Sequence, residues 1–196
     1  MKQIVIASNN AGKLREIEAI LQPLGFKALP QSAFKVPEAA EPYPTFVENA
    51  LAKARNAAQH TGMPALADDS GICVHALRGA PGVLSARYAG EPKSDERNNQ
   101  KLLASLKNRT DRTAYYFAAL VLVRHADDPH PLIAEGRWAG EVIDTPRGAN
   151  GFGYDPYFFL PDLHKTAAEL DAREKNLVSH RGKALRRLAA LIQEQW

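Results

Sequence analysis

Cysteine is nearly absent from this chain: among 196 residues only Cys73 carries a thiol. A lone cysteine cannot close an internal disulfide, so packing must hold the fold, and a reducing compartment is the expected setting. Long apolar runs are missing as well. The richest, residues 117–123, is strand-sized and falls far short of the roughly 20 residues that span a bilayer. The apolar start is broken by Asn9 and Asn10, so no signal peptide is expected. Neither sign of charge dominates, since 25 Lys and Arg face 22 Asp and Glu. The densest basic cluster, Lys183, Arg186 and Arg187, reads as the solvated face of a helix rather than a nucleic-acid footprint. These absences exclude a membrane span and give no support to a nucleic-acid partner. The protein is expected in the cytoplasm.

Several catalytic signatures are absent too. His60, His75, His125, His130 and His164 lie in no metal-ligand spacing, and neither a His-Glu-x-x-His motif nor a cysteine cluster occurs. A serine-hydrolase elbow, Gly-x-Ser-x-Gly, is missing. There is no internal repeat, low-complexity tract or flexible linker. With 45% hydrophobic and 24% charged residues, the composition is that of an ordinary globular chain, and the length suits one large domain or two intimately packed lobes, taken as a single domain over 1–196.

What is present alternates between strand and helix patterns, which predicts an α/β fold. Residues 2–7 read as a buried first strand, followed by a polar turn and a helix with Leu14, Ile17, Leu21 and Leu24 on one face and Gly25 as its stop. Four prolines make 30–44 a loop. Thr45 and Glu48 have capping-box spacing before a helix to about residue 60. Residues 65–67 and 72–77 read as two short strands separated by Asp68-Asp69-Ser70-Gly71. Ser94 is placed as the cap of a helix to about 106. Residues 114–124 form the longest strand candidate, 132–143 supply one or two more, and 148–156 is irregular. Thr166 and Glu169 form a second capping box, and the last helix begins near Ser179.

Four constellations could carry chemistry. Ser8-Asn9-Asn10-Ala11-Gly12-Lys13 lies at a strand-to-helix junction, where unpaired N–H groups and the helix dipole attract phosphate. Gly12 would allow close backbone approach and Lys13 adds a charge; taken alone, the same residues read more simply as a cap with a solvated lysine. The pair Asp68-Asp69 is suited to Mg²⁺, which takes one or two carboxylates with substrate phosphates, or else forms an Asp-rich turn. In Gly151-Phe152-Gly153-Tyr154-Asp155-Pro156, glycines would expose an aromatic ring to a flat ligand, unless the rings tuck into the core. Lys175 with Ser179-His180-Arg181-Gly182 offers donors for carbonyl or phosphate oxygens, or is a surface feature.

Taken together and in order, these stretches resemble the inosine triphosphate pyrophosphatase family over essentially the whole chain. The likeness is carried by the four constellations and by Thr45-Phe46-Val47-Glu48-Asn49-Ala50 with Lys53-Ala54, and Gly79-Ala80-Pro81-Gly82 with Ser85-Ala86-Arg87-Tyr88. It implies an elongated, two-lobed α/β fold with a mixed central sheet flanked by helices, a substrate cleft between the lobes, and a homodimer. It also implies hydrolysis of the non-standard purine nucleotides ITP, dITP and XTP between the α- and β-phosphorus, giving monophosphate and pyrophosphate.

By position, the resemblance assigns the phosphates to Ser8, Asn9, Asn10, Ala11, Gly12, Lys13 and Lys53. Glu41, Asp68 and Asp69 would hold Mg²⁺, with Asp69 also activating water, and Ser70 would touch substrate. Phe152 would stack on the base, Gly153, Tyr154 and Asp155 would complete that wall, and Lys175, His180 and Arg181 would fix the base. Rival readings are a related pyrophosphatase for modified pyrimidine nucleotides and a silent nucleotide sensor.

Overall fold

A computed structural model describes residues 2–196. Strand β1 (Lys2–Ile6) runs into the polar turn, and helix α1 (Ala11–Leu21) follows with Ile17 and Leu21 buried. A single 3₁₀ turn ends at Gly25, whose φ of 81° is the left-handed conformation that stops helices. Strand β2 (Phe26–Pro30) comes next, parallel to β1 in the register Lys2↔Phe26 to Ile6↔Pro30. Helix α2 (Phe46–Thr61) starts where Thr45 Oγ1 accepts from the Glu48 amide. Strand β3 (Ala65–Val74) is one continuous strand. The two short strands expected there are therefore corrected, and Asp68 to Gly71 lie inside the sheet.

Helix α3 (Asp95–Leu106) is capped by Ser94 as predicted. The long strand β4 (Thr113–Val123) and a single β5 (Leu132–Val142) follow. Strands β6 (Phe158–Leu160) and β7 (Lys165–Thr166) and helix α4 (Ala172–Val178) are additions to the sequence reading. The capping box at Thr166 and Glu169 heads only a 3₁₀ turn, and α5 (His180–Gln195) closes the chain. The sheet is open and mixed: its order is β2-β1-β3-β4-β5-β6-β7, with β1 parallel to β2 and β3, and β6 antiparallel to β5 and β7. The α/β class expected from sequence is the class observed.

The chain divides into two compact units. The first holds the residues up to Asp69 together with 118–136 and 181–196; the second holds Ser70–Phe117 and Arg137–His180. In unit 1 the pleat sorts side chains onto two faces. Ile4, Ile6, Leu66, Leu120 and Leu122 pack with Ile17 and Leu21 of α1 and Leu185, Leu188 and Ile192 of α5. Val5, Ala7, Ala65, Ala67, Val121 and Val123 pack instead with Ala50, Ala54, Ala57 and Ala58 of α2. Small residues on both sides of this second layer let α2 approach the strands closely.

Unit 2 has its own core of Ile72, Val74, Leu102, Leu106, Tyr116, Trp138 and Phe158. Gly71 lies hard against the turn after Pro81: a Cβ there would collide with the Gly82 carbonyl and the Ser85 hydroxyl. That hydroxyl accepts from Ile72 N–H at 3.0 Å and donates to Gly82 O at 2.6 Å, so it cannot retreat cheaply. Gly71→Ala should therefore destabilise the protein by about 1–3 kcal/mol through overpacking. Urea unfolding measures this, and a midpoint equal to wild type would show that the turn yields freely.

Candidate functional site

Successive side chains of a strand point to opposite faces, so the neighbours Asp68 and Asp69 part company. Asp68 follows the parity of Leu66 and meets α1 and α5. Its Oδ1 accepts from Lys13 Nζ at 2.6 Å and its Oδ2 from Arg181 Nε at 2.7 Å. Arg181 also pairs with Glu16 of α1. Only 1% of Asp68 and 2% of Arg181 are exposed, so the cluster is closed. Burial would raise the Asp68 pKa, but Arg181 and Lys13 outweigh it and hold the carboxyl well below the usual range. Burial lowers the Lys13 pKa, with Asp68 opposing it, and the carboxylates outweigh burial to raise that of Arg181.

Asp69 follows the parity of Ala67 and meets α2. Lys53 Nζ donates to Asp69 Oδ1 at 2.8 Å, to Glu41 Oε1 at 2.8 Å and to the Asp68 carbonyl at 3.0 Å. The other Asp69 oxygen, Oδ2, is buried and accepts no hydrogen bond from the described residues. Burial raises the Asp69 pKa, partly offset by Lys53. Burial alone would lower the Lys53 pKa, yet Asp69 and Glu41 hold it above the ordinary value.

The polar turn before α1 is ordered by its own side chains. Ser8 Oγ accepts from the Asn10 amide and Asn10 Oδ1 from the Lys13 amide, both at 3.1 Å. Ala11 and Gly12 begin the helix, where N–H groups have no intrahelical acceptor. Asn9 reaches sideways to Glu38 at 3.1 Å.

A divalent cation suits part of this constellation. Among the described residues no three His, Cys, Asp or Glu side chains form a ready-made metal cluster. Asp69 Oδ2 is nonetheless a buried hard oxygen without a partner, and Glu41 converges with Asp69 on one ammonium. Two carboxylates completed by substrate phosphates match the habits of Mg²⁺. Of the expected trio, Asp68 accepts from Lys13 and Arg181 through its two carboxylate oxygens, whereas Glu41 and Asp69 meet on Lys53.

In unit 2 the aromatic-glycine stretch is braced from several sides. Asp155 Oδ2 accepts from the Phe152 amide at 2.9 Å and from Lys175 Nζ at 2.6 Å, and that ammonium lies 4.8 Å from the centre of the Phe152 ring. Gly151 has a φ of 76°, and a Cβ there would strike the Asp155 carboxylate. From α3, Asp95 accepts from the Gly153 amide at 2.8 Å, and Asn99 donates to the Gly153 carbonyl at 3.0 Å. Phe152 remains half-buried, whereas Tyr154 is buried and donates to the Ser85 carbonyl at 2.8 Å. Tyr154, expected in the base wall, is thus tied by its hydroxyl to the core of unit 2.

His180 stacks on Tyr116 at 4.7 Å between ring centres, within unit 2. Its neighbour Arg181 belongs to the Asp68 cluster of unit 1. Ser70 is half-buried in β3. Sequence reading missed Glu16, Asp95 and Asn99. Glu16 sits one residue before Ile17 of the apolar stripe, and its reach toward an arginine 165 positions away gives it a role.

Comparison with known proteins agrees over the full length. The sequence model of the Ham1 family matches residues 4–191. A dITP/XTP pyrophosphatase of Nitrosomonas europaea is 64% identical over 194 residues, covering 99% of this chain and 96% of the relative. That of Aromatoleum aromaticum is 64% identical over 190 residues, covering 97% and 96%. Among solved structures, a HAM1 protein from Coxiella burnetii superposes with a TM-score of 0.93 at 49% identity, covering 99% of this chain and 100% of that one. The Staphylococcus aureus Ham1 protein gives 0.89 at 41%, with both chains covered completely.

Asp68 carries a pH signature. Its folded pKa is depressed, so its contribution to stability is complete above the unfolded value of about 3.9 and is lost as pH falls below that toward the folded value. Asp68→Asn leaves Lys13 and Arg181 without their shared charge and should cost about 3–5 kcal/mol at pH 7. Urea titrations of both proteins at pH 7 and pH 3 should show the gap narrowing at the lower pH. A gap independent of pH would mean that the carboxylate charge is not what matters.

Proposed function

The chain belongs to the Ham1 family, and on that premise we propose that it hydrolyses dITP, ITP and XTP to the monophosphate and pyrophosphate, clearing non-standard purines from the nucleotide pool. Relatives that match it nearly end to end are named for dITP and XTP. The observation that carries the reading is Asp69, a buried carboxylate with one oxygen unbonded and a raised pKa, set beside Lys53 and Glu41. A group in that state is suited to take a proton from water.

In the proposed reaction a water oxygen attacks the α-phosphorus and gives its proton to Asp69. The bond from the α-phosphorus to the bridging oxygen breaks, and pyrophosphate leaves. Phosphoryl transfer of this kind depends mainly on positioning and electrostatics. Lys13, Lys53 and the N-terminal turn of α1, with Ser8, Asn9, Asn10, Ala11 and Gly12, serve the phosphates. Mg²⁺, held by Glu41 and Asp69, would neutralise charge on the phosphate oxygens. Asp68 and Arg181 act behind these groups by fixing Lys13.

Ser70 touches substrate beside Asp69. Phe152 is the ring on which a purine stacks, an interaction of roughly 1–3 kcal/mol. Asp155, Lys175 and the Gly153 backbone hold that ring in place, and His180 contributes to the base environment. The family resemblance supports a cytoplasmic homodimer, and among the described residues no helix is long and apolar enough to cross a membrane.

The test is a panel of nucleoside triphosphates with Mg²⁺, scoring pyrophosphate against orthophosphate. We expect pyrophosphate and dIMP directly from dITP; stepwise release of orthophosphate through dIDP would sink the reading. Asp69→Asn should lower kcat by about 10²- to 10⁴-fold, the usual cost of losing a general base, while nucleotide still binds. A variant within a few-fold of wild type would remove Asp69 from that role.

A further inference from the structure

The segment that carries Glu41 has little structure of its own. Residues 37–45 form neither helix nor strand and are mostly exposed. Within Glu41-Pro42-Tyr43-Pro44 the two prolines have no N–H, so only Glu41 and Tyr43 can donate from the backbone. An unsupported loop of this kind samples many conformations, and a carboxylate on it would be poorly aimed.

Helix α2 supplies the support from one face. Asn49 accepts from the Tyr43 amide through Oδ1 at 3.1 Å and donates from Nδ2 to the Tyr43 carbonyl at 3.0 Å. This side chain thus answers both polar groups of Tyr43 as a neighbouring strand would, and it is only 1% exposed. Seven residues on, Asn56 Nδ2 donates to the Pro37 carbonyl at 2.8 Å. Between them Lys53 holds Glu41 at 2.8 Å. Residues 49, 53 and 56 lie at i, i+4 and i+7, which is one stripe of a helix. The stripe grips the loop at both ends and at the carboxylate.

We propose that Asn49 and Asn56 are positioning residues that clamp residues 37–43 onto α2 and thereby aim Glu41 at the position it shares with Asp69. The proposal rests on the reading of Glu41 and Asp69 as the carboxylates that serve the divalent cation. Outer-shell partners of ligating carboxylates typically change metal affinity by about 10- to 100-fold when removed. A purely structural asparagine would lower the melting temperature without that selectivity.

The experiment uses Mn²⁺ as the probe cation, its free concentration followed by electron paramagnetic resonance, on the full chain. Amide hydrogen exchange over residues 37–43 is measured in parallel. Glu41→Gln should weaken Mn²⁺ binding, and Asn49→Ala should weaken it by about tenfold with faster exchange confined to the loop. The double variant should be no weaker than Glu41→Gln alone, because both changes remove the same aimed carboxylate. Asn56→Ala removes a bond at the loop's exposed start and should shift both readouts modestly in the same direction, which keeps the test open if Asn49→Ala does not fold. Normal Mn²⁺ affinity in the asparagine variants, with Glu41→Gln impaired, overturns the clamp alone. Normal affinity in Glu41→Gln overturns the cation reading and the clamp with it.

Discussion

A β-strand turns consecutive side chains to opposite faces, and in β3 that pleat separates two carboxylates that are covalent neighbours. Adjacent aspartates in a turn would repel each other and call for a shared cation. Inside the strand they need not share anything. Asp68 is delivered to the layer of α1 and α5 and Asp69 to the layer of α2, and each meets its own positive charge. The same alternation places Leu66 with one core and Ala65 and Ala67 with the other. Polar and apolar positions of β3 thus obey a single rule, and the site is a continuation of the core pattern by charged residues.

The two layers use that delivery differently. Around Asp68 the charges balance, two acids against two bases, and water has little access. Buried ion pairs of this kind seldom add net stability over a packed apolar alternative, because desolvation offsets the attraction. What they impose is geometry. Lys13 near the start of α1 and Arg181 at the start of α5 are both tied to one residue of β3, so the first turns of two helices share an anchor. Around Asp69 the arrangement is incomplete, with an ammonium on one oxygen and, among the described residues, no hydrogen bond on the other. Alanines at 50, 54, 57 and 58 bring α2 near enough for Lys53 to reach across to the strand.

Much of this was legible where a local rule decides. Ser94 and Thr45 announce their helices because a side-chain oxygen must answer free N–H groups, and both do so. Residues 114–124 are readable because a buried strand is continuously apolar. The rule failed where tertiary partners decide. Strand β2 ends in Pro30, and its pairing with β1 cannot be seen in five residues of mixed burial. Strands β6 and β7 have three and two residues, too short for any period. The break predicted at Asp68 to Gly71 rested on turn propensity, which Lys13, Lys53 and Arg181 override by neutralising the acids within the sheet. His180 and Arg181 look like one element in the sequence, but helical geometry turns neighbouring residues by about 100°. One stacks on Tyr116 and the other pairs with Asp68.

The split of the aspartate pair also sets their acidities in opposite directions. Both are buried, and burial pushes each carboxyl upward. For Asp68 two cations reverse the push, leaving an acceptor that stays ionised at neutral pH and holds Lys13 and Arg181. For Asp69, Lys53 and, less strongly, Lys13 only moderate it, and nearby Glu41 adds to the rise. Environments that drive two similar groups apart divide their roles, and the group with the higher pKa is the one able to accept a proton in a reaction. Exchanging the two faces would exchange the roles, even with the same residues and the same charges. A one-residue slip in the register of β3 would therefore abolish the candidate chemistry before it altered the fold's composition in any way.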